Sequence, residues 1–156
     1  MPCRADPSGS WAAKERQMED GKEKQNIEAK LRDAGVRPTR QRLDLAGLLF
    51  GNGNRHVTAE MLHAEALRNG ISVSVATVYN TLNHLAGAGL LREVAIEGSK
   101  TYFDTTISDH QHFYFENDGR LIDLGPEEEV SVAVRKLPEG MKVARIDVLI
   151  RLVPDE

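Results

Sequence analysis

One cysteine in 156 residues, Cys3, leaves nothing for an internal disulfide to join, and it fits a reducing cytoplasm. No stretch approaches the roughly 18 consecutive apolar residues of a membrane span, and the N-terminal residues lack the apolar core of a secretory signal. A cytoplasmic protein with no membrane partner is expected. H-E-x-x-H, paired cysteines, a Ser/His/Asp set and a Gly-rich phosphate loop are all missing, so catalysis is not expected. An excess of positive charge is missing too: the net charge is −4.

That last deficit changes meaning when the chain is divided. Residues 1–92 carry 13 Lys+Arg against 10 Asp+Glu, whereas residues 93–156 carry 7 against 14. A mildly basic front and a strongly acidic rear suggest two jobs, and only the front suits DNA. With 40% hydrophobic and 28% charged residues, the whole reads as globular. The predicted organisation is α+β: a flexible tail over 1–25, a DNA-binding domain over 26–105, and a small dimerisation and ligand-sensing domain over 106–156.

The organising stretch is Gly70–Leu91, GISVSVATVYNTLNHLAGAGLL. Ser74 is placed to cap a helix from Val75 that stops before Gly87 or Gly89. Val75, Val78, Leu82 and Leu85 form its apolar stripe. Ala76, Thr77, Asn80, Asn83 and His84 lie about half a turn away, with Tyr79 on the flank. Thr77 and Asn80 suit base edges, and an aromatic or Ala suits a thymine methyl. The same pattern also describes an ordinary amphipathic helix, since no Arg or Lys lies on that face, so the neighbouring segments decide.

They favour DNA. Ile27–Ala34 predicts a short helix closed by Gly35. Pro38 keeps Arg37 extended, and Thr39 caps a helix over about 40–50 with Leu43, Ala46 and Leu49/Phe50 inward. Arg37, Arg40 and Arg42 gather at its start as phosphate anchors. GNGNRHV reads as a loop. Thr58 caps a third helix, about 59–69, with Met61, Leu62, Ala66 and Leu67 inward, and the GISVS connection then makes a helix-turn-helix. LLREVAI and KTYFDT form a hairpin about Glu97-Gly98-Ser99, as a winged helix requires.

From Ile107, HFYF and RLIDL read as strands about Asn117-Asp118-Gly119. Glu127–Leu137 reads as a helix with Val130, Val134 and Leu137 inward. A final strand alternates from Ala144 to Leu152. One helix on a three-stranded sheet leaves a free edge, so this half is expected to form a homodimer, matching paired half-sites on double-stranded DNA. Of five histidines, His110 and His112 stand at i and i+2 on one strand face and can converge on one metal or haem iron, with Asp104 and Asp109 nearby. His63 reads as solvated; His84 touches DNA or nothing.

GVRPTRQR (35–42), HVTAEML (56–62), VSVATVYNTLNHLAGAGLL (73–91), EGSKTYFD (97–104) and DHQHFYFENDGRLIDL (109–124) together resemble the ferric uptake regulator family from about residue 27 onward. The resemblance implies a dimeric winged-helix repressor with a C-terminal metal-sensing domain. It implies base contact by Tyr79, and a sensory site on His56, Asp104, His110 and His112, with Asp123 as a further candidate. Where the family commonly has a C-x-x-C zinc clamp, this chain has Phe115 and Asp118, so a cysteine-held structural zinc is not expected. Asn80 stands where many relatives have Arg. No histidine follows His112, which removes the usual ligand of a second C-terminal site.

Loss of that clamp beside a retained H-x-H is similar to the iron response regulator branch, whose members sense haem. It implies DNA binding under low iron, control of haem synthesis and iron use, relief by haem, and haem delivery by a haem-synthesis enzyme. Pro2-Cys3 reverses the Cys-Pro haem motif of some members. The alternative is a repressor of the same fold answering Fe(II), Mn(II) or Zn(II), for which sulfur-free His/carboxylate ligands are suitable. A non-DNA metal-buffering protein is the different-class alternative.

Overall fold

The computed structural model describes residues 10–97 and 100–156; Cys3 and the Gly98-Ser99 part of the expected turn lie outside these. The chain divides into two compact units, one ending at Ile107 and one beginning at Ser108. Its elements are α+β in both content and order.

The first unit opens with α1, Ser10–Asp33. Residues 10–25, read from sequence as part of a tail, are the first turns of this helix. The segment is rich in Ala, Lys, Glu, Arg and Gln, all good helix formers, and it runs into Ile27 and Leu31, which are buried in the core. An i,i+4 pair, Glu28 with Arg32 at 2.7 Å, lies on its exposed side. Gly35, at φ +76°, ends the turn, as only glycine does without strain.

Three helices follow: α2 Arg40–Phe50, α3 Ala59–Arg68 and α4 Val75–Gly87. Each starts where a hydroxyl satisfies a free backbone N–H. Thr39, Thr58 and Ser74 accept from Arg42, Met61 and Thr77 at 3.3, 3.2 and 3.1 Å. The buried faces differ from the expected ones in detail. On α2, Leu45, Ala46 and Leu49 are buried, while Leu43 and Phe50 are only half-buried. On α3, Ala59, Leu62 and Ala66 face the core; Met61 and Leu67, expected inward, are about half exposed. On α4, Val75 is exposed while Thr81 is buried beside Val78, Leu82 and Leu85. Thr81 can be buried because its hydroxyl donates to the Thr77 carbonyl at 2.8 Å.

Strands β1 His56–Val57, β2 Arg92–Ala95 and β3 Thr101–Asp104 form an antiparallel sheet in the order β1-β3-β2. The wing hairpin is β2–β3, with Ala95 opposite Thr101. β1 falls within the expected GNGNRHV loop, because two residues are too few for alternation to register. β1 sets His56 directly opposite Asp104. Phe103, fully buried, joins the sheet to the helical core.

In the second unit, β4 His112–Phe115 is central, antiparallel to β5 Leu121–Asp123 and parallel to β6 Leu149–Leu152. Gly119 turns the β4–β5 hairpin at φ +72°. Asp118 accepts from the Arg120 backbone N–H at 3.1 Å and from its guanidinium at 2.6 Å, which holds the carboxyl below its usual range. The predicted helix over Glu127–Leu137 does not form: a short turn at 126–128 is followed by irregular chain. The segment is about three turns long and interrupted by β-branched valines, so it needs packing to stand as a helix. Val134 and Leu137 are exposed and supply none. The final strand is likewise shortened, from the expected 144–152 to 149–152.

Candidate nucleic-acid interface and metal ligands

The start of α2 and the outer face of α4 enclose an open hollow of about 620 Å³. Arg37, Gln41 and Arg42 line one side; Thr77, Asn80 and His84 line the other. The extended backbone before Pro38 and the Thr39 cap put Arg37 and Arg42 on one side of the helix start. Arg42 is held firmly there. Its Nη1 donates to the Arg37 carbonyl at 3.0 Å and its Nη2 to His84 Nδ1 at 2.9 Å. A guanidinium has no acceptor, so His84 Nδ1 is the acceptor in this pair. Cationic donors beside uncharged hydrogen-bonding groups on an exposed helix can grip phosphate and read base edges at once.

Of the residues picked from sequence, Arg37, Arg42, Thr77 and Asn80 come together here. Arg40 does not: it lines a different hollow with Asp20, Glu23 and Asp44. Tyr79 is also outside the hollow. It is 43% exposed, and its ring stands edge-on to Phe103 at 6.4 Å, fixing it against the wing strand β3. His63, read as solvated, instead donates from Nε2 to the Val73 carbonyl at 2.9 Å and so ties α3 to the turn before α4. The i+10 separation of that bond has no periodic signature in the sequence.

The metal-ligand candidates fall in both units. In the first, His56 Nε2 lies 3.0 Å from Asp104 Oδ2, and Asp104 is fully buried. Its other oxygen accepts from the Thr106 N–H at 2.8 Å. A carboxylate so buried requires a compensating donor or cation. Arg55, just before His56, clasps Glu65 of α3 with two bonds of 3.0 and 2.7 Å and also donates to the Leu48 carbonyl. That clasp holds β1 in register, with the Arg55 N–H donating to Thr105 Oγ1 at 2.9 Å and the Thr105 N–H donating to the Arg55 carbonyl at 3.1 Å. It also pulls the Glu65 carboxyl below its ordinary range, chiefly through the Arg55 hydrogen bonds.

In the second unit, His110 and His112 approach one oxygen of Asp123, at 3.1 and 3.3 Å from their Nε2 atoms. Strand pairing sets His112 opposite Asp123. His110 precedes the strand, so its placement comes from its own bond: Nδ1–H donates to the Ser108 carbonyl at 2.6 Å. In the neutral ring this leaves the Nε2 lone pair toward the carboxylate, acceptor against acceptor, an arrangement that a proton or a metal cation relieves. The donor atoms of this trio lie within 4.8 Å of one another. Nitrogen and oxygen donors without sulfur fit Fe(II), Mn(II) or Zn(II). Asp109 lines a hollow of about 420 Å³ with His110, Glu128 and Glu129.

Comparison with known proteins gives a consistent result. Residues 33–151 match the model of the ferric uptake regulator family. The chain is similar to the peroxide operon regulator of Bacillus subtilis (strain 168), with 36% identity over 94 residues that cover 60% of this chain and 64% of that protein. It is similar to the ferric uptake regulation protein of Shigella flexneri, with 33% identity over 98 residues, 62% of this chain and 66% of that one. These matches span just under two thirds of each relative. Among solved structures, the ferric uptake regulator from Pseudomonas aeruginosa with manganese has a TM-score of 0.63 and 23% identity, covering 82% of this chain and 97% of that chain. At that identity the likeness is one of fold.

Proposed function

The chain belongs to the ferric uptake regulator family, and from that premise we propose that it is a metal-responsive transcription regulator, not an enzyme, which binds double-stranded DNA as a homodimer. The observation that carries this reading is the hollow in which Arg37 and Arg42 face Thr77 and Asn80. Arg37 and Arg42 anchor phosphate; Thr77, Asn80 and Tyr79 read the major groove. Arg40 contributes charge from its own hollow rather than a contact in this one.

His110, His112 and Asp123 form the core of the regulatory ligand set, and His56 and Asp104 are assigned to it by the family motif. The ion would bind these nitrogen and oxygen atoms and supply positive charge where acceptors now face one another. Its occupancy would shift the population of DNA-binding conformations. With no cysteine beyond Cys3, a cysteine-held structural zinc has no ligands in this chain.

Retention on a duplex that weakens with added salt tests the DNA reading, because phosphate anchoring releases counterions. Binding indifferent to salt defeats it. Calorimetric titration of the metal-stripped protein with Mn(II) or Fe(II), beside DNA affinity, tests the metal reading. A second reading takes haem as the signal; its support is the H-x-H pair without a cysteine clamp. The acidic lining beside His110, from Asp109, Glu128 and Glu129, disfavours haem propionates. A Soret titration without a saturable, His110- and His112-dependent change rules haem out.

A further inference from the structure

The Arg42–His84 bond joins a side chain of α2 to one of α4 across the DNA-facing hollow. We propose that His84 is a positioning residue for DNA recognition: it presets the Arg42 guanidinium for phosphate, and it does so only while its imidazole is neutral. The inference rests on the DNA-binding reading above.

An unrestrained arginine must surrender much rotamer freedom when it grips a phosphate, and one already held surrenders less. Arg42 is held from two directions, by the Arg37 carbonyl and by His84 Nδ1. Those two bonds occupy two of its five N–H donors and leave others for a ligand. The planar fork makes the restraint directional, so the tether fixes orientation as well as position.

The tether depends on protonation. Nδ1 can accept only without a proton, so the imidazolium loses the bond and places a second cation beside the guanidinium. The charged groups lining the hollow are Arg37 and Arg42, and no carboxylate is among the lining residues. α3 also carries charge, on Glu60, Glu65 and Arg68, but none of these lines the hollow. Acidification therefore turns His84 from a tether into a repellent. His84 is exposed, so its replacement leaves the core intact.

The test uses the full chain and a duplex that it selects from a random-sequence pool. His84→Leu is expected to lower affinity about five- to tenfold with an unchanged salt dependence. His84→Asn restores an uncharged acceptor near the Nδ1 position and is expected to stay within about twofold of the native protein. On acidification the native protein should lose affinity more than His84→Asn does. This difference isolates His84 from the other histidines. In an Arg42→Ala background, His84→Leu should add nothing further.

Equal affinity of His84→Leu and the native protein overturns the inference. So does native affinity that rises on acidification with a steeper salt dependence, since protonated His84 would then be gripping phosphate itself. If the native protein selects no duplex, the DNA-binding reading fails, a result distinct from either of these.

Discussion

The two units spend their apolar residues differently. In the first, Leu31, Leu45, Leu49, Leu62, Leu82 and Phe103 are fully buried in one core, and three of its four helices begin at a hydroxyl cap. In the second, buried residues amount to His112, Tyr114 and Leu121, while Val132, Val134, Met141 and Ile146 are exposed. Helices and strands are fixed where an apolar stripe meets a surface to pack on. Where it meets none, the same stripe leaves irregular chain.

The sharpest way to break this contrast is a deletion in the first core. Leu82→Ala should cost about 2–5 kcal/mol in denaturant unfolding, as a fully buried leucine leaves a cavity. A loss below about 1 kcal/mol would mean that α4 is not seated as described. Next comes the proposed sensing trio, His110, His112 and Asp123. His110→Ala with His112→Ala should lower divalent-metal affinity at least tenfold, about 1.4 kcal/mol, by calorimetry. The unfolding of the first unit should be unchanged; if it moves as much as metal affinity, the histidines serve folding.

Tyr79→Ala should weaken duplex binding by about 1–3 kcal/mol with a smaller effect on folding, because the ring is half exposed and only edge-on to Phe103. Unchanged affinity would remove Tyr79 from the reading surface. The Arg55–Glu65 clasp gives a smaller signal still. The pair retains only 22% and 18% side-chain exposure, and Arg55 also donates to the Leu48 carbonyl, so Arg55→Ala should cost about 1–2 kcal/mol in denaturant unfolding. Glu65 has a depressed carboxyl value in the folded chain. Its stabilisation is therefore complete above the unfolded value of about 4.3 and is lost as pH falls through the lower folded value. Arg55→Ala should flatten that acid limb of the stability curve. Smallest of all, Val134→Ala should stay within about 0.5 kcal/mol, and a loss of core size would show that this segment is packed after all.

What the sequence made legible follows the same division. Ser74, Thr58 and Thr39 marked the helix starts because capping is local chemistry, readable from a few residues. The period of Val78, Leu82 and Leu85 was legible because the core enforces it. Val75 and Met61 share the apolar period but stand exposed, since periodicity gives a face without its width, and that width is set by whatever packs opposite. Glu127–Leu137 had a helical pattern but no partner for it. On the candidate site, residue type and position single out Arg37, Arg42, Thr77 and Asn80, and the fold brings these four to one hollow. The Arg42–His84 bond, the Arg55–Glu65 clasp and the His63 tie were not, since each spans ten or more residues and depends on tertiary placement.

The parallel pairing of β4 with β6 has a consequence for the order of folding. A hairpin such as β4–β5 can close as soon as its turn is made, within microseconds. β6 must instead return across the whole irregular stretch from Leu124 to Val148 before its first ladder bond forms. Loop-closure entropy comes due before any pairing offsets it, so this strand is the slow, late partner of its sheet. During synthesis, the first unit can complete its core while β4 still waits for an edge that has not yet been made. For that interval one side of β4 is open to another strand, including the same strand of a neighbouring nascent chain.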